Sequence, residues 1–207
     1  MGFFSNRSHA GALAKPDESL LERAAQAASL QAQLESTQLL ARYLDEDREL
    51  LLTALERLRL GMAPLALAET LFEISFKPFG LACFYVALAD WEQDQLSFLF
   101  YHEGGKVRRH PARRLSDRAG QSDHVLSEGK ALYTRTNAEG QAAGALRTAA
   151  ELTTGLIPNS WYGIPLGWGP RPSGMLNFQS FEPDAFSDSR RRVMDALAAL
   201  MSNCMGG

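Results

Sequence analysis

Apolar residues in the first third of the chain recur with a helical period. From Glu18 to about Leu60 the sequence contains neither glycine nor proline, and Ala, Leu, Gln, Glu and Arg dominate. These residues are strong helix formers. The pattern predicts one long helix over residues 17–62, preceded by a flexible arm of small and polar residues at 1–16. The most regular part of its stripe, spaced by three and four apart from an interruption at Arg48, is Leu44, Leu51, Leu55, Leu58 and Met62.

A stripe of this length needs a large apolar surface to cover it. At about 1.5 Å per residue the helix is about 65 Å long, which exceeds what one small domain buries. The same helix of a second chain is the simplest partner. We therefore expect a homodimer whose interface is this five-residue seam. The alternative is a helix that folds back onto its own domain.

After Gly61 the pattern changes from a helical period to a strand period. A short amphipathic helix is predicted from Pro64 to about Phe76, and a closing helix follows a capping residue, Ser187. Four strand-length runs lie between them and pair as two hairpins: 81–89 with 96–101, and 160–166 with 174–180. The chain between the hairpins, roughly 105–160, is irregular in pattern.

Four sequence segments resemble those of GAF domains. Gly120–Leu132 is similar to the family's middle helix and turn, 159–166 and 174–180 to its second pair of strands, and Phe186–Asp188 to its closing helix cap. The resemblance covers residues 64–205 and implies an α/β (α+β) fold, in which helices pack on one face of a central antiparallel sheet. It also implies that the middle segment covers the other face, that a small ligand often lies beneath it, and that terminal helices dimerise in signal transduction.

Candidate ligand-binding residues follow from side-chain alternation combined with that resemblance. Asn177 and Gln179 point to the face opposite Leu176 and Phe178, and the resemblance places Trp161 on the same side. The first hairpin adds three aromatic residues. The predicted site under segment 110–158 is Tyr85, Phe98, Phe100, Trp161, Asn177 and Gln179. Alternatively, these aromatic rings simply fill the space and the two amides bond to loop backbone.

Composition narrows the classes of partner and compartment. The formal net charge of −3 gives no electrostatic reason to expect nucleic acid. No apolar run approaches the roughly 20 residues of a spanning helix, so we expect no membrane insertion. Cys83 and Cys204 lie far apart and outside any paired spacing, which predicts core thiols, no metal site and a cytoplasmic protein.

Motifs of catalysis are absent from the sequence. It has no HExxH or Gly-x-Ser-x-Gly pattern, and the glycine-rich stretch 167–174 lacks the Lys-Ser/Thr of a phosphate-binding loop. The GAF-like enzyme that reduces free methionine sulfoxide uses clustered cysteines, whereas residues 105–160 contain none. The same absence argues against a bilin attached through a cysteine of this segment. The sequence therefore predicts that the chain is not an enzyme, and it identifies no cofactor.

Two functions remain open on these grounds. The chain is either a sensor of a small molecule or an adaptor whose GAF fold is a docking surface. Because the sequence ends directly after the closing helix, we expect its output to pass through a partner protein on another chain.

Overall fold

The fold is described from a computed structural model that covers residues 18–117, 120–146, 148, 151–152 and 155–206. Two compact units are distinguished, Met1–Leu44 and Asp45–Gly207. The predicted arm, 1–16, lies outside the described residues. The first helix, α1 (Glu18–Arg57), begins in the first unit and continues into the second. In the first unit, the described side chains from Leu21 onward are all exposed.

The second unit alternates helices with antiparallel strands. Three longer helices flank its strands: α1 from Asp45 onward, α2 (Pro64–Ser75) and the closing helix α5 (Asp188–Met205). The remaining elements, in chain order, are β1 (Cys83–Asp90), β2 (Gln95–Glu103), β3 (Lys106–Val107), β4 (Arg113–Arg114), α3 (Gln121–Glu128), β5 (Leu132–Thr134), α4 (Asn137–Ala142), β6 (Ser160–Leu166), β7 (Gly174–Ser180) and α5 (Asp188–Met205).

The strands form a seven-stranded antiparallel sheet in the order β3-β2-β1-β7-β6-β5, with β4 paired to β2 beside β3. Both predicted hairpins are present, as β1–β2 and β6–β7. They join through β1 and β7, where Phe84 pairs with Phe178 and Tyr85 with Asn177. The predicted fold, a GAF-like antiparallel sheet flanked by helices and preceded by a long helix, is confirmed.

Helices cover one face of this sheet and bury a continuous apolar core. Phe84 and Phe178 are fully buried, and their ring centroids lie 5.5 Å apart in an edge-to-face arrangement. Leu71 of α2 and Leu197 of α5 pack into the same core. The apolar side of each helix therefore packs on the face of the sheet that carries Phe84 and Phe178.

The end of α1 belongs to this core. Leu50, Ala54 and Leu58 are buried there, and Glu46 forms an ion pair with Arg190 of α5. Asp47 is also buried, and burial raises the pKa of its carboxyl above the usual range while nearby Arg190 opposes that shift. This part of the helix folds back onto its own domain, as the alternative interpretation of the stripe expected.

The predicted dimer seam is consequently not one continuous exposed surface. Leu58 is buried in its own domain, and Leu51 and Met62 are half-buried against the same core. Leu44 and Leu55 are exposed. The predicted helix also extended too far, because α1 ends at Arg57 and Gly61 adopts a left-handed φ of 81°. Met62 therefore lies beyond the helix, out of phase with the stripe.

A β-bulge interrupts the pairing of β1 with β2. Val86 pairs with Phe100 and Ala87 with Phe98, so Leu99 has no residue opposite it. A bulge of this kind adds one residue to one strand and changes the side on which side chains emerge. Leu99 and Phe100 both pack toward the helical core, whereas Phe98 lies on the opposite face.

Among the described residues, no helix is both long enough and apolar enough to cross a membrane.

Candidate functional site

The face of the sheet opposite the helices carries a cavity of about 290 Å³. Its floor is formed by side chains of β1, β2, β6 and β7, and its cover by the segment between the two hairpins, including α3 and α4. This is the position at which the sequence predicted a ligand. Its volume lies at the small end of the range of about 300–1,000 Å³ that is common for ligand pockets.

Four of the six predicted site residues line this cavity. Two come from the first hairpin and two from the second: Tyr85, Phe98, Trp161 and Gln179. Trp161 and Gln179 are cross-strand partners, which places the indole beside the amide. Alternation, together with the family resemblance used for Trp161, placed these residues on the face of the sheet that carries the cavity, and their role in ligand binding stays a prediction.

Phe100 is a correction to the predicted site. Its ring lies in the helical core, 5.2 Å from the ring of Phe72 and 5.9 Å from that of Phe84. Strict alternation would have placed it with Phe98. The bulge at Leu99 breaks that alternation, and Tyr101 faces the cavity instead.

Asn177 points to the predicted face but does not line the cavity. It is fully buried, and its Nδ2 donates to the backbone carbonyl of Tyr162 at 3.0 Å. The Trp161 indole covers the neighbouring position, since a Cβ on Gly163 would lie 2.2 Å from its Cη2 atom. Gly163 is the cross-strand partner of Asn177. The absence of a side chain at 163 thus lets Trp161 lie flat and separate Asn177 from the cavity.

Asn177 instead orients Gln179. Because a backbone carbonyl only accepts hydrogen bonds, the bond to Tyr162 assigns Nδ2 of Asn177, and its Oδ1 must face the other way. Gln179 Nε2 donates to that Oδ1 at 2.8 Å. The amide of Gln179 is fixed by this chain of bonds, and its Oε1 remains for the cavity.

A second buried amide lies on the cover. Gln121, the first residue of α3, donates through Nε2 to the hydroxyl of Thr134 on β5 at 2.9 Å. Both residues are buried, and both line the cavity. Gly120 precedes this helix with a φ of 98°, which is the turn that directs Gln121 inward.

Aromatic rings make up much of the floor. Tyr85 stacks on Tyr101 with centroids 5.5 Å apart, and Phe98 meets both rings edge-on. The ring of His110 packs against that of Phe98, with 4.1 Å between the two ring centroids. Burial raises the pKa of Tyr85 and of Tyr101, so both phenols stay protonated at neutral pH.

An ion pair closes one side of the cavity. Arg113 of β4 donates through Nη2 to both carboxylate oxygens of Asp123 on α3, at 3.0 and 2.9 Å, and to the hydroxyl of Ser122 at 3.1 Å. Both members are largely buried. Burial raises the pKa of the Asp123 carboxyl, and Arg113 opposes that shift. The pair fixes α3 to the edge of the sheet and neutralises the guanidinium.

Two carboxylates meet at the other end. Thr148 donates its hydroxyl to Glu103 of β2 at 2.6 Å, and its backbone N–H to Glu151 at 2.9 Å. Thr148 and Glu151 line the cavity, and Glu103 lies directly behind Thr148. Burial raises the pKa of the nearby Cys83 thiol, and both carboxylates raise it further. Among the described residues, this end of the site therefore carries two carboxylates joined through Thr148.

Sequence reasoning missed most of the cover. Arg113, Gln121, Thr134 and Glu151 sit on the irregular segment, where no period indicates which side chains point inward. One signal was present for Glu151. Thr148-x-x-Glu151 has the spacing of a capping box, and the N–H of Glu151 is bonded to the Thr148 hydroxyl at 3.1 Å.

The geometry allows a comparison with known proteins. None of the protein-family models matches the sequence, and none of the curated proteins does. Solved structures do match. The GAF domain of a phosphoenolpyruvate-protein phosphotransferase from Acinetobacter is 15% identical, with a TM-score of 0.62, over 79% of this chain and 92% of that one. The second unit therefore has the GAF fold.

Two further matches are enzymes with the same fold. The free methionine-R-sulfoxide reductase of Neisseria meningitidis, in complex with its substrate, is 14% identical with a TM-score of 0.61, over 80% of this chain and 89% of that one. The fRMsr of Staphylococcus aureus, also with substrate, is 14% identical with a TM-score of 0.58, over 77% and 95%.

These matches correct one prediction. The prediction that this chain is not an enzyme, which was drawn from missing catalytic motifs and missing clustered cysteines, was wrong, because several solved structures with the same fold are free methionine-R-sulfoxide reductases. At this identity the likeness is one of fold alone.

Proposed function

We propose that the chain is a GAF-fold sensor that binds a small molecule in the cavity beneath its middle segment. The supporting observation is the cavity itself. It is bounded by buried polar groups, Gln121, Thr134 and Gln179, and by aromatic rings. Buried polar groups that converge on an apolar space are the usual composition of a ligand site.

Adjacent residues connect the two faces of the sheet. Tyr85 borders the cavity and Phe84 the helical core, and the same holds for Gln179 and Phe178. A ligand that shifts the backbone of β1 or β7 therefore also shifts the residues on which α1 and α5 pack. This is the route by which occupancy of the cavity would reach the helices.

A screen of metabolites by thermal shift tests the sensor function. A true ligand should stabilise the protein by mass action, by about 2.7 kcal/mol at one hundred times its dissociation constant. Gln179→Leu should lose most of this gain. If compounds of every charge class leave the melting temperature unchanged, the cavity does not serve a ligand, and a docking role becomes the better proposal.

We also propose that α1 mediates a homodimer. Its exposed apolar residues are Leu21, Leu30, Leu34, Leu39, Leu40, Tyr43, Leu44, Leu52 and Leu55. An isolated helix in water is marginal, and an exposed apolar stripe favours a partner helix. Leu44 and Leu55 of the predicted seam are exposed and available.

Light scattering of two matched variants tests this assembly. Leu44→Asp with Leu55→Asp should shift the protein toward monomer, because it places two charges in an apolar contact. Ser29→Asp with Ser36→Asp adds the same charge at exposed polar positions and should leave the mass unchanged. If the Leu44→Asp, Leu55→Asp variant is as dimeric as the wild type, these two residues do not form the dimer interface.

A further inference from the structure

We infer that the ligand of this cavity presents an N–H or O–H donor to Gln179, and that Asn177 is the positioning residue that sets this requirement. The inference rests on the proposed sensor function and adds the hydrogen-bonding chemistry of its ligand. The class of ligand is a compact, largely apolar molecule with a donor at its edge, whether that molecule is charged or neutral. Three features support it: the direction of the Gln179 amide, the position of its oxygen, and the aromatic ring beside it.

The amide of Gln179 is held in one direction by a chain of two hydrogen bonds. The backbone carbonyl of Tyr162 accepts from Nδ2 of Asn177 at 3.0 Å, and a carbonyl oxygen cannot donate in return. The other end of the Asn177 amide is therefore an oxygen, which accepts from Nε2 of Gln179 at 2.8 Å. Turning the Gln179 amide over would place two oxygens against each other. Both bonds are buried, where such a mismatch is costly.

The oxygen of this amide, Oε1, is left facing the cavity. Gln179 lines the cavity and is 9% exposed. Among the described residues, the fully enclosed side-chain nitrogen or oxygen without a hydrogen bond is Nδ1 of His102. Oε1 of Gln179 has no bond to a described residue either, so it is not enclosed, and the open space beside it is the cavity. A ligand donor satisfies this oxygen, whereas a ligand acceptor at the same place leaves two acceptors without partners.

The second buried amide of the lining, Gln121, has no such fixed direction. Its partner is the hydroxyl of Thr134, at 2.9 Å. A hydroxyl both donates and accepts, so Thr134 can bond either end of the Gln121 amide. Gln121 therefore adapts to a donor or to an acceptor of the ligand. Of these two amides, Gln179 is the one that discriminates between ligands.

The body of the ligand meets aromatic rings next to this amide. Trp161 is the cross-strand partner of Gln179, and its ring lies flat over Gly163, where a Cβ would come within 2.2 Å of Cη2. Tyr85 and Tyr101 stack on each other and line the same space of about 290 Å³. A compact apolar molecule that packs on the Trp161 ring has its edge at the Gln179 amide. The donor is therefore expected at that edge of the ligand.

Free indole and benzofuran form a matched pair of probes for this site. Both are flat, uncharged and nearly equal in size, but indole has an N–H donor where benzofuran has a ring oxygen. Titration of the isotope-labelled full chain, followed by NMR, gives both dissociation constants. The side-chain amide signal of Gln179, assigned by its loss in Gln179→Leu, should shift when indole binds.

The expected result is a preference for the donor. Indole should bind at least about fivefold more tightly than benzofuran, because benzofuran leaves Oε1 of Gln179 without a hydrogen bond. Equal affinity for the two probes, or tighter binding of benzofuran, would overturn the inference.

Asn177→Leu tests the positioning role. Without Asn177 the Gln179 amide is free to turn and offer its N–H groups, so benzofuran should bind more tightly and the preference for indole should fall below about twofold. A loss of stability alone would weaken both probes together. Tyr133→Phe is the matched control, since it removes hydrogen bonds to Asp184 and Phe186 and should keep the preference. If Asn177→Leu keeps the full preference, Asn177 does not set it and the inference is wrong.

Gln179→Leu gives a second test that leaves Asn177 in place, and it serves if Asn177→Leu does not fold. It removes the acceptor, so the preference should again fall below about twofold, here because indole binds more weakly. An unchanged preference for indole in this variant would contradict the assigned role of Gln179.

The outcomes separate this inference from the proposed function. If both probes bind equally, or if a ligand from the metabolite screen requires Gln179 but carries no N–H or O–H group, the cavity is a ligand site and the donor requirement fails. If neither probe binds, the inference fails. The sensor function fails with it only when the metabolite screen also finds no ligand.

Discussion

The two faces of the sheet are built from the same strands but differ in how completely they are packed. On the helical face, Phe84 and Phe178 touch edge to face and the surrounding helices exclude solvent. On the opposite face, their neighbours Tyr85 and Gln179 border a cavity of about 290 Å³. One face is stabilised by contact of apolar atoms, and the other retains space and unused hydrogen-bonding capacity.

Along a single strand, residues that face the helices therefore contribute mainly to stability, and residues that face the cavity contribute mainly to binding. Close-packed interiors respond to the loss of a single methylene, because the atoms around it cannot fully relax. A polar cavity wall tolerates substitution better, since part of its surface already lacks a protein partner. Substitutions at adjacent residues should therefore differ in effect: one should lower the stability of the domain and the other should weaken ligand binding.

The largest expected effect is on the helical face. Phe178→Ala should destabilise the domain by about 3–5 kcal/mol, because it leaves a void against Phe84 and Phe79. Urea denaturation followed by circular dichroism measures this loss. A change below about 1 kcal/mol would mean that this face is packed no more tightly than the cavity wall.

An intermediate effect is expected at Gly163. A Cβ there would lie 2.2 and 2.6 Å from two atoms of the Trp161 ring and 3.0 Å from Met175. Gly163→Ala should displace the indole and cost about 1–3 kcal/mol through overpacking. Tryptophan emission should shift as well, and Gly169→Ala, at an exposed glycine where a Cβ meets only ordinary contact distances, provides a surface control for stability. Unchanged emission would show that Trp161 does not rest on this glycine.

A stabilising effect is expected at His102. Its ring packs against Phe72 and Phe76, and its Nδ1 is buried without a bond among the described residues. His102→Phe should stabilise the domain by about 1 kcal/mol at pH 8, because it removes an unsatisfied polar atom.

The same substitution should change the pH dependence. Burial lowers the pKa of His102, so the unfolded chain takes up a proton first as the pH falls below the ordinary value of about 6.5. The wild type then loses stability and the variant lacks this loss. Melting curves from pH 8 to 5 should show the difference widening. A constant difference would assign the acid sensitivity to another group.

The smallest effect on stability is expected at Gln179. Gln179→Leu should lower the free energy of unfolding of the ligand-free protein by about 1 kcal/mol, because the buried Oδ1 of Asn177 loses the N–H group from which it accepts a hydrogen bond. Its larger loss should appear in ligand binding. Melting curves measured with and without ligand compare Gln179→Leu with Phe178→Leu, a substitution at the neighbouring residue of β7 on the helical face. The Phe178→Leu variant should retain ligand binding despite its lower stability. If Gln179→Leu and Phe178→Leu destabilise the ligand-free protein equally, the two faces of the sheet do not differ in how tightly they are packed.

Sequence reasoning identified the strands from apolar and aromatic runs of strand length bounded by turn residues, and the sheet from the resemblance to GAF domains. Side-chain alternation, combined for Trp161 with the family resemblance, placed Trp161 and Gln179 on the face that carries the cavity. It failed at Phe100, since one unpaired residue on β2 reverses the alternation and leaves no mark in residue type. It also could not foresee that Asn177 lies behind the indole of Trp161, because that depends on the missing side chain at Gly163.

The long helix illustrates a different limit. Its stripe indicated burial but not the partner that supplies it. Leu58 is covered by its own domain, whereas Leu44 and Leu55 are exposed. The cover of the cavity was harder still to predict from sequence, because α4, Arg113 and Gln121 belong to a segment whose apolar residues show no regular period.

The unpaired Leu99 also bears on how this chain can vary in length over evolution. An insertion or deletion inside a strand ordinarily inverts the facing of every residue beyond it. Here Ala87 already pairs with Phe98 and Val86 with Phe100. Losing Leu99 would restore regular pairing and leave both phenylalanines on their present sides. An aligned relative with a regular strand should therefore carry a one-residue gap at this position, inside β2, where alignments seldom place one.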